Sequence, residues 1–189
     1  MKKRSQLAIC ILVVAAFLLG IRAHAQSAIG TINANFINLG TNTIALYFTD
    51  GSVMLTGSGS GSNKPTLNFG TISRLGTLST GVTRATTAGN YTVSATVNVT
   101  VDSTGLAGNR VPNGYTLSVN LQANPANYSV YINNVGTALS TATTVLNPAP
   151  QAAFPYNTAQ TQTIKLTIPN ASTFGSQLNT VMNFTATAR

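Results

Sequence analysis

Few side chains in this sequence are suited to acid–base or nucleophilic chemistry. The chain has 189 residues, with two acids, one histidine and one cysteine. General acids and bases come mostly from His, Glu, Asp, Lys, Tyr and Cys. Because Cys10 and His24 both fall within the first 25 residues, the remainder has neither a Ser-His-Asp nor a Cys-His arrangement. The same absence excludes a zinc site of the usual nitrogen and sulfur type.

The carboxylates and lysines do not combine into a catalytic or metal site. Asp50 precedes a glycine and Asp102 begins a Ser-Thr-Gly stretch, so we predict that both are turn residues and not a glycosidase pair. A Ser-Lys dyad is formally open to Lys64 or Lys165, which we predict to be solvated. Two acids far apart in sequence do not provide a high-affinity calcium site, although one Asp with backbone carbonyls could hold a weakly bound ion. We therefore expect no enzyme activity, no cofactor and no metal.

The N-terminus has the pattern of an export signal. Lys2, Lys3 and Arg4 precede an apolar run over residues 7–20, and Ala23-His24-Ala25 provides a small-x-small cleavage site. The run is shorter than the roughly 18–20 residues that cross a bilayer, so no retained membrane span is expected. We predict a signal peptide over residues 1–25 and a secreted protein.

Removal of that signal changes the charge. Residues 26–189 keep six Lys and Arg against two Asp, a net charge of +4 in place of +8. The basic residues are scattered, whereas a nucleic-acid footprint clusters them on one face. We therefore expect no nucleic-acid partner.

Apolar and polar residues alternate along most of the remaining chain. The longest example is Tyr91–Val101, where six apolar residues alternate with Thr, Ser and Asn. This period of two is typical of strands that bury one face. Such runs predict an all-β, antiparallel sandwich of about eight to ten strands in one domain over 26–189. The other runs begin near Ile32, Ile44, Ser52, Thr66, Tyr115, Tyr128, Ile164 and Met182.

Three connecting features follow from turn chemistry. Asp50-Gly51 is a hairpin dipeptide between two strand candidates. The Gly/Ser run at 57–62 predicts a long loop, and the proline-containing segment 145–157 predicts another.

Tyr47 and Tyr131 alternate outward and Tyr156 lies in the second loop, so these tyrosines either contact a ligand or cover apolar surface.

Two segments carry a family resemblance. Leu67-Asn68-Phe69-Gly70-Thr71-Ile72 resembles an early strand of bacterial pilin-like and spore-coat-U-like sandwiches, and Leu166-Thr167-Ile168-Pro169 with the closing strand 183–188 resembles their end. The resemblance implies an Ig-like or pilin-like sandwich that is located in the periplasm or on a bacterial cell surface. It also implies assembly in which one subunit's N-terminal strand completes the sheet of the next. Ile32, Ala34 and Phe36 are the candidate donor or edge strand; an ordinary first strand fits them equally.

Two functional hypotheses of different classes follow. The first is a non-enzymatic structural or adhesive surface protein, a fimbrial type of subunit whose partners are other protein subunits. The alternative is a carbohydrate-binding module in which Tyr47, Tyr131 or Tyr156 stacks on a glycan.

Overall fold

The computed structural model describes most of the chain after the predicted signal. The described residues are 27–39, 45–59, 64–103, 114–133, 135–147, 154–172 and 177–188. The predicted signal peptide 1–25, residues 60–62 of the Gly/Ser run and residues 148–153 of the proline-containing segment lie outside these ranges.

The described residues form strands and no helix, which confirms the all-β prediction. Eleven strands are found among them, and each alternating run identified in the sequence overlaps one of these strands. The strands are β1 Ser27–Leu39, β2 Ala45–Gly51, β3 Met54–Thr56, β4 Thr66–Ser73, β5 Thr83–Thr86, β6 Asn90–Asp102, β7 Tyr115–Leu121, β8 Ser129–Ile132, β9 Thr144–Val145, β10 Gln160–Pro169 and β11 Gln177–Ala188.

The strands form two sheets. A larger sheet of six strands has the order β3-β4-β1-β11-β7-β9, and a smaller sheet of five has the order β2-β6-β10-β8 with β5 beside β6. Pairing is antiparallel except between β1 and β11, which run parallel. Parallel neighbours need a long connection, and the first and last of these strands satisfy that condition automatically.

Apolar side chains of both sheets meet in one buried cluster. On β6, Tyr91 and the apolar residues that alternate with it are buried. The intervening polar residues from Thr92 to Asn98 are half-buried on the outer face, and Thr100 is buried. The Phe48 ring of the smaller sheet and the Phe184 ring of the larger sheet lie 5.5 Å apart, edge to face. That contact crosses the interior, as expected of two sheets packed face to face.

The predicted hairpin at Asp50-Gly51 is wrong. β2 pairs with β6 in the smaller sheet, whereas β3 pairs with β4 in the larger sheet. Asp50 and Gly51 are the last two residues of β2, and the register shifts between Phe48 and Gly51. The dipeptide therefore lies at a β-bulge, at the point where the chain passes from the smaller sheet to the larger one. Asp102 is the last residue of β6, and residues 104 and 105 of its predicted turn lie outside the described residues.

β1, which contains Ile32, Ala34 and Phe36, is an interior strand and not an edge. β4 lies on one side of it and β11 on the other. Ile32 is buried, and in the β11 register Ala34 lies opposite Met182 and Phe36 opposite Phe184. The edges of the larger sheet are instead the short strands β3 and β9, a common protection against edge pairing.

Candidate functional site

The three candidate tyrosines separate into two locations. Tyr47 on β2 and Tyr131 on β8 are both half-exposed, and both alternate with buried residues of the smaller sheet. They therefore share that sheet's outer face, called the hydroxyl face below because Thr and Ser residues of β6 and β10 cover it. Tyr156 lies elsewhere, packed against the apolar core.

A bulge in β2 arranges polar side chains at one end of the hydroxyl face. Phe48 pairs with Val99 and Gly51 with Val97, so Thr49 and Asp50 together oppose Asn98. Bulges of this kind redirect side chains. Gly51 fits the close approach of the chains, because a Cβ there would lie 2.8 Å from the Thr96 carbonyl oxygen.

A chain of hydrogen bonds crosses three strands at this bulge. The Thr161 hydroxyl donates to Asn98 Oδ1 at 2.7 Å, and Asn98 Nδ2 donates to Asp50 Oδ1 at 2.6 Å. The Thr49 hydroxyl donates to the same Asp50 oxygen at 3.3 Å. These bonds orient a carboxylate and an amide on the protein surface. We call Tyr47, Thr49, Asp50, Asn98 and Thr161 the bulge patch.

The other end of the hydroxyl face carries a cation beside an aromatic ring. Lys165 of β10 pairs with Tyr131 of β8, and its ammonium nitrogen lies 5.9 Å from the centre of the Tyr131 ring. An exposed cation–π contact of this type contributes about 0.5–1 kcal/mol. Between the two ends, Thr96 lies opposite Thr163, and the hydroxyls of Thr92 and Thr167 are hydrogen-bonded at 3.2 Å.

Tyr156 belongs to an aromatic cluster in which its polar end is buried. Its ring centre lies 5.5 Å from that of Tyr115, which is 5.7 Å from that of Phe154. Both tyrosine hydroxyls are buried and have no hydrogen-bond partner among the described residues. Burial raises the pKa of Tyr115 and of Tyr156 above the usual tyrosine range. This arrangement packs the Tyr156 ring against the core, while part of the residue remains exposed.

A polar cavity lies where β11 extends beyond the end of β7. Its volume is about 350 Å³, and Asn127, Tyr128, Gln177 and Asn179 are among its lining residues. The Tyr128 hydroxyl donates to the Asn179 carbonyl at 3.0 Å and is hydrogen-bonded to the Thr180 hydroxyl. Burial raises the pKa of Tyr128, an effect that the Thr180 hydrogen bond opposes. The tyrosine closes one side of this cavity.

The described part of the chain provides neither a metal-binding cluster nor a membrane-spanning helix. No group of three or more His, Cys, Asp or Glu residues there is close enough to hold a metal ion. The described residues also include no helix with the length and apolar character that a membrane crossing requires.

The sequence identified the tyrosines of the hydroxyl face but missed the residues that join them. Alternation places Asn98 and Thr161 outward, and this was visible in the sequence. Their contact with Asp50 depends on strand pairing across 48 and 63 positions of sequence. No local signal reports such a pairing.

Comparisons with known proteins give no assignment. No protein-family model matches this chain, and no curated protein matches it.

Proposed function

We propose that this protein is a secreted, non-enzymatic structural or adhesive subunit that assembles with copies of itself by exchanging β1. The observation that carries the proposal is the position of β1, the first described strand, in the interior of the larger sheet. β1 pairs with β11 over Ile29–Leu39 and with β4 over Ser27–Asn33. After signal cleavage, only its C-terminal end would be connected to the rest of the fold.

Such a strand can leave the sheet without drawing other chain through the fold. Its withdrawal would uncover a groove between β4 and β11, whose floor includes fully buried Phe69, Ile72, Met182 and Phe184. Large exposed apolar surface is unfavourable in water, so the groove requires a replacement strand. The β1 of a second copy has the same sequence and offers the same backbone and side-chain groups.

Exchange between copies is therefore close to neutral in contact energy. The same pairs form whether β1 lies in its own sheet or in a neighbour's, as in domain swapping. Protein concentration then determines which form dominates, because only the exchanged form gains from association. A chain of such exchanges produces a polymer whose connections are backbone hydrogen bonds.

A cysteine pair reports which chain supplies β1. Asn35 and Asn183 are Cα partners across β1 and β11, and paired strands lie about 4.8 Å apart, within disulfide range. The chain from residue 26 has no native cysteine. The variant with Asn35→Cys and Asn183→Cys is unfolded, refolded at low and high concentration, oxidised and separated by size without reductant.

We expect a ladder of covalent multimers after refolding at high concentration and intrachain disulfides at high dilution. The matched control carries Thr96→Cys and Thr163→Cys, which are partners across β6 and β10 of the smaller sheet. It should give only covalent monomers at both concentrations. Covalent monomers from the β1–β11 pair at every concentration would reject exchange, and each single-cysteine variant sets the background of chance dimers.

Export has a separate test. The full-length chain is expressed in a bacterium, and the N-terminus of the exported protein is sequenced. We expect it to begin at Gln26 after cleavage behind Ala25. Protein that stays in the cytoplasm with residues 1–25 intact would contradict secretion.

A further inference from the structure

We infer that the hydroxyl face of the smaller sheet binds a neutral polysaccharide, with the bulge patch as its main contact. The bulge patch presents an aromatic ring, a carboxylate, an amide and two hydroxyls. This inference concerns the smaller sheet, whereas β1 exchange concerns the larger one. Either can fail without the other.

The hydrogen bonds within the patch leave specific groups available. Asp50 uses Oδ1 to accept from Asn98 and Thr49, and Asn98 uses one hydrogen of Nδ2. Within the described residues, Asp50 Oδ2 and the second Nδ2 hydrogen of Asn98 have no protein partner. They offer one acceptor and one donor side by side. Because a sugar hydroxyl both donates and accepts, two neighbouring hydroxyls of one ring suit this pair.

The patch is also oriented before any ligand arrives. The bond from Thr161 to Asn98 Oδ1 determines which end of the amide is the donor, and the bond to Asp50 holds the carboxylate against the sheet. Groups held in place lose less entropy on binding than mobile ones. The half-exposed ring of Tyr47, two residues before Thr49, supplies an apolar surface for the C–H face of a sugar.

The charges and hydroxyls of the face favour a neutral chain. Its charged residues are Asp50 and Asp102 near Tyr47 and Lys165 near Tyr131. An anionic polysaccharide would meet a carboxylate in the bulge patch, where like charges repel. Thr96 and Thr163 are among the hydroxyls that continue the surface from the patch toward Tyr131.

The face is long enough for several sugar units. Tyr47 lies beside Thr100 of β6, and Tyr131 lies in the row of Lys165 and Ser94. From strand rise and strand spacing, the two tyrosines are roughly 25 Å apart along the sheet. An extended oligosaccharide can therefore contact the bulge patch and Tyr131 together, whereas a disaccharide reaches only one of them.

The test is a titration of the mature protein with neutral oligosaccharides of glucose, mannose and N-acetylglucosamine, in short and long forms. Polygalacturonate serves as the anionic comparison. Binding is measured by calorimetry and by amide chemical shifts. We expect at least one neutral series to bind more tightly as its chain lengthens. The shift changes should centre on residues 47–51, Asn98 and Thr161.

The variants separate the bulge patch from the rest of the face. Asp50→Asn removes a charge-assisted hydrogen bond and should weaken binding of short and long forms about tenfold. Tyr47→Ala should do the same, whereas Tyr131→Ala should weaken only the long form. Thr161→Val and Thr187→Val are a matched pair, because both threonines are exposed on strands and Thr187 lies on the larger sheet. Only Thr161→Val should reduce affinity.

Three outcomes would overturn the inference. The first is the absence of shift changes with every neutral series, which needs no variant to interpret. The second is neutral-sugar binding that Asp50→Asn and Tyr47→Ala leave unchanged in folded protein. The third is binding of polygalacturonate alone, with an affinity that falls steeply as salt is added.

Discussion

Gly30 provides a test of how closely β1 packs against the core side chains of β4. Gly30 is buried and lies where the register between β1 and β4 shifts. A Cβ at this position would lie 2.1 Å from Ile72 Cδ1, 3.0 Å from Ile72 Cγ1 and 3.3 Å from Phe69 Cβ. Ile72 and Phe69 are fully buried, so neither side chain can move away without displacing other core residues.

The size of the effect follows from two opposing contributions. Overpacking a close-packed core costs about 1–3 kcal/mol. Replacing glycine by alanine returns about 0.4–1 kcal/mol by restricting the unfolded chain. We therefore expect Gly30→Ala to lower the free energy of unfolding by roughly 1–2 kcal/mol. For a chain of this length, each kcal/mol corresponds to about 2–4 °C in Tm.

Urea unfolding followed by far-ultraviolet circular dichroism measures the change, since the chain contains no tryptophan for fluorescence. Ile72→Val removes the Cδ1 atom that the new methyl would overlap, at a cost of about 0.5–1.5 kcal/mol when made alone. In that background, Gly30→Ala should be less harmful by about 1 kcal/mol. Gly89→Ala is the control, because a Cβ there would meet nothing within 4 Å.

An unchanged or increased stability of Gly30→Ala would be inconsistent with close packing of β1 against Ile72 and Phe69. So would equal effects of Gly30→Ala in the presence and in the absence of Ile72→Val, because additivity means that the two positions do not share a contact.

Three further predictions concern buried polar groups. Tyr115→Phe should leave stability unchanged or raise it, because the lost hydroxyl has no partner among the described residues. Tyr128→Phe should lower the free energy of unfolding by about 1 kcal/mol, because it removes the hydrogen bonds of that hydroxyl. Thermal unfolding of the two variants measures both effects. Asn147→Ala should lower the free energy of unfolding, measured with urea, by about 2–5 kcal/mol, because the buried Asn147 side chain is hydrogen-bonded to the Leu117 amide and the Tyr115 carbonyl. As the control, Asn124→Ala removes an exposed hydrogen bond and should cost less than about 1 kcal/mol. Tyr115 and Tyr156 have a raised pKa in the fold, so their contribution to stability is complete below the unfolded pKa of about 10 and is lost as pH rises above it. Urea midpoints that stay constant from about pH 9 to pH 11 would contradict this loss of stability.

Strand identity was predictable because it depends on neighbouring residues. Alternation over Tyr91–Val101 placed the centre of β6, and the run beginning at Thr66 became β4. A period of two marks the buried face wherever the partner strand comes from. The pairing of strands was not predictable by this means, and the hairpin predicted at Asp50-Gly51 failed for that reason. A short turn sequence suits a bulge and a crossing between sheets as well as it suits a hairpin.

Composition and alternation were enough to predict an all-β chain and to show that residues 26–189 contain neither histidine nor cysteine. They also identified outward tyrosines, because composition and alternation are local properties. The positions of β1 between β4 and β11 and of Tyr156 beside Tyr115 become apparent in the folded chain and not before. The same is true of the contact that brings Asp50, Asn98 and Thr161 together. Each of these arrangements depends on contacts between segments that are far apart in sequence. Such contacts form when strands from the whole chain bury their apolar faces together in one core.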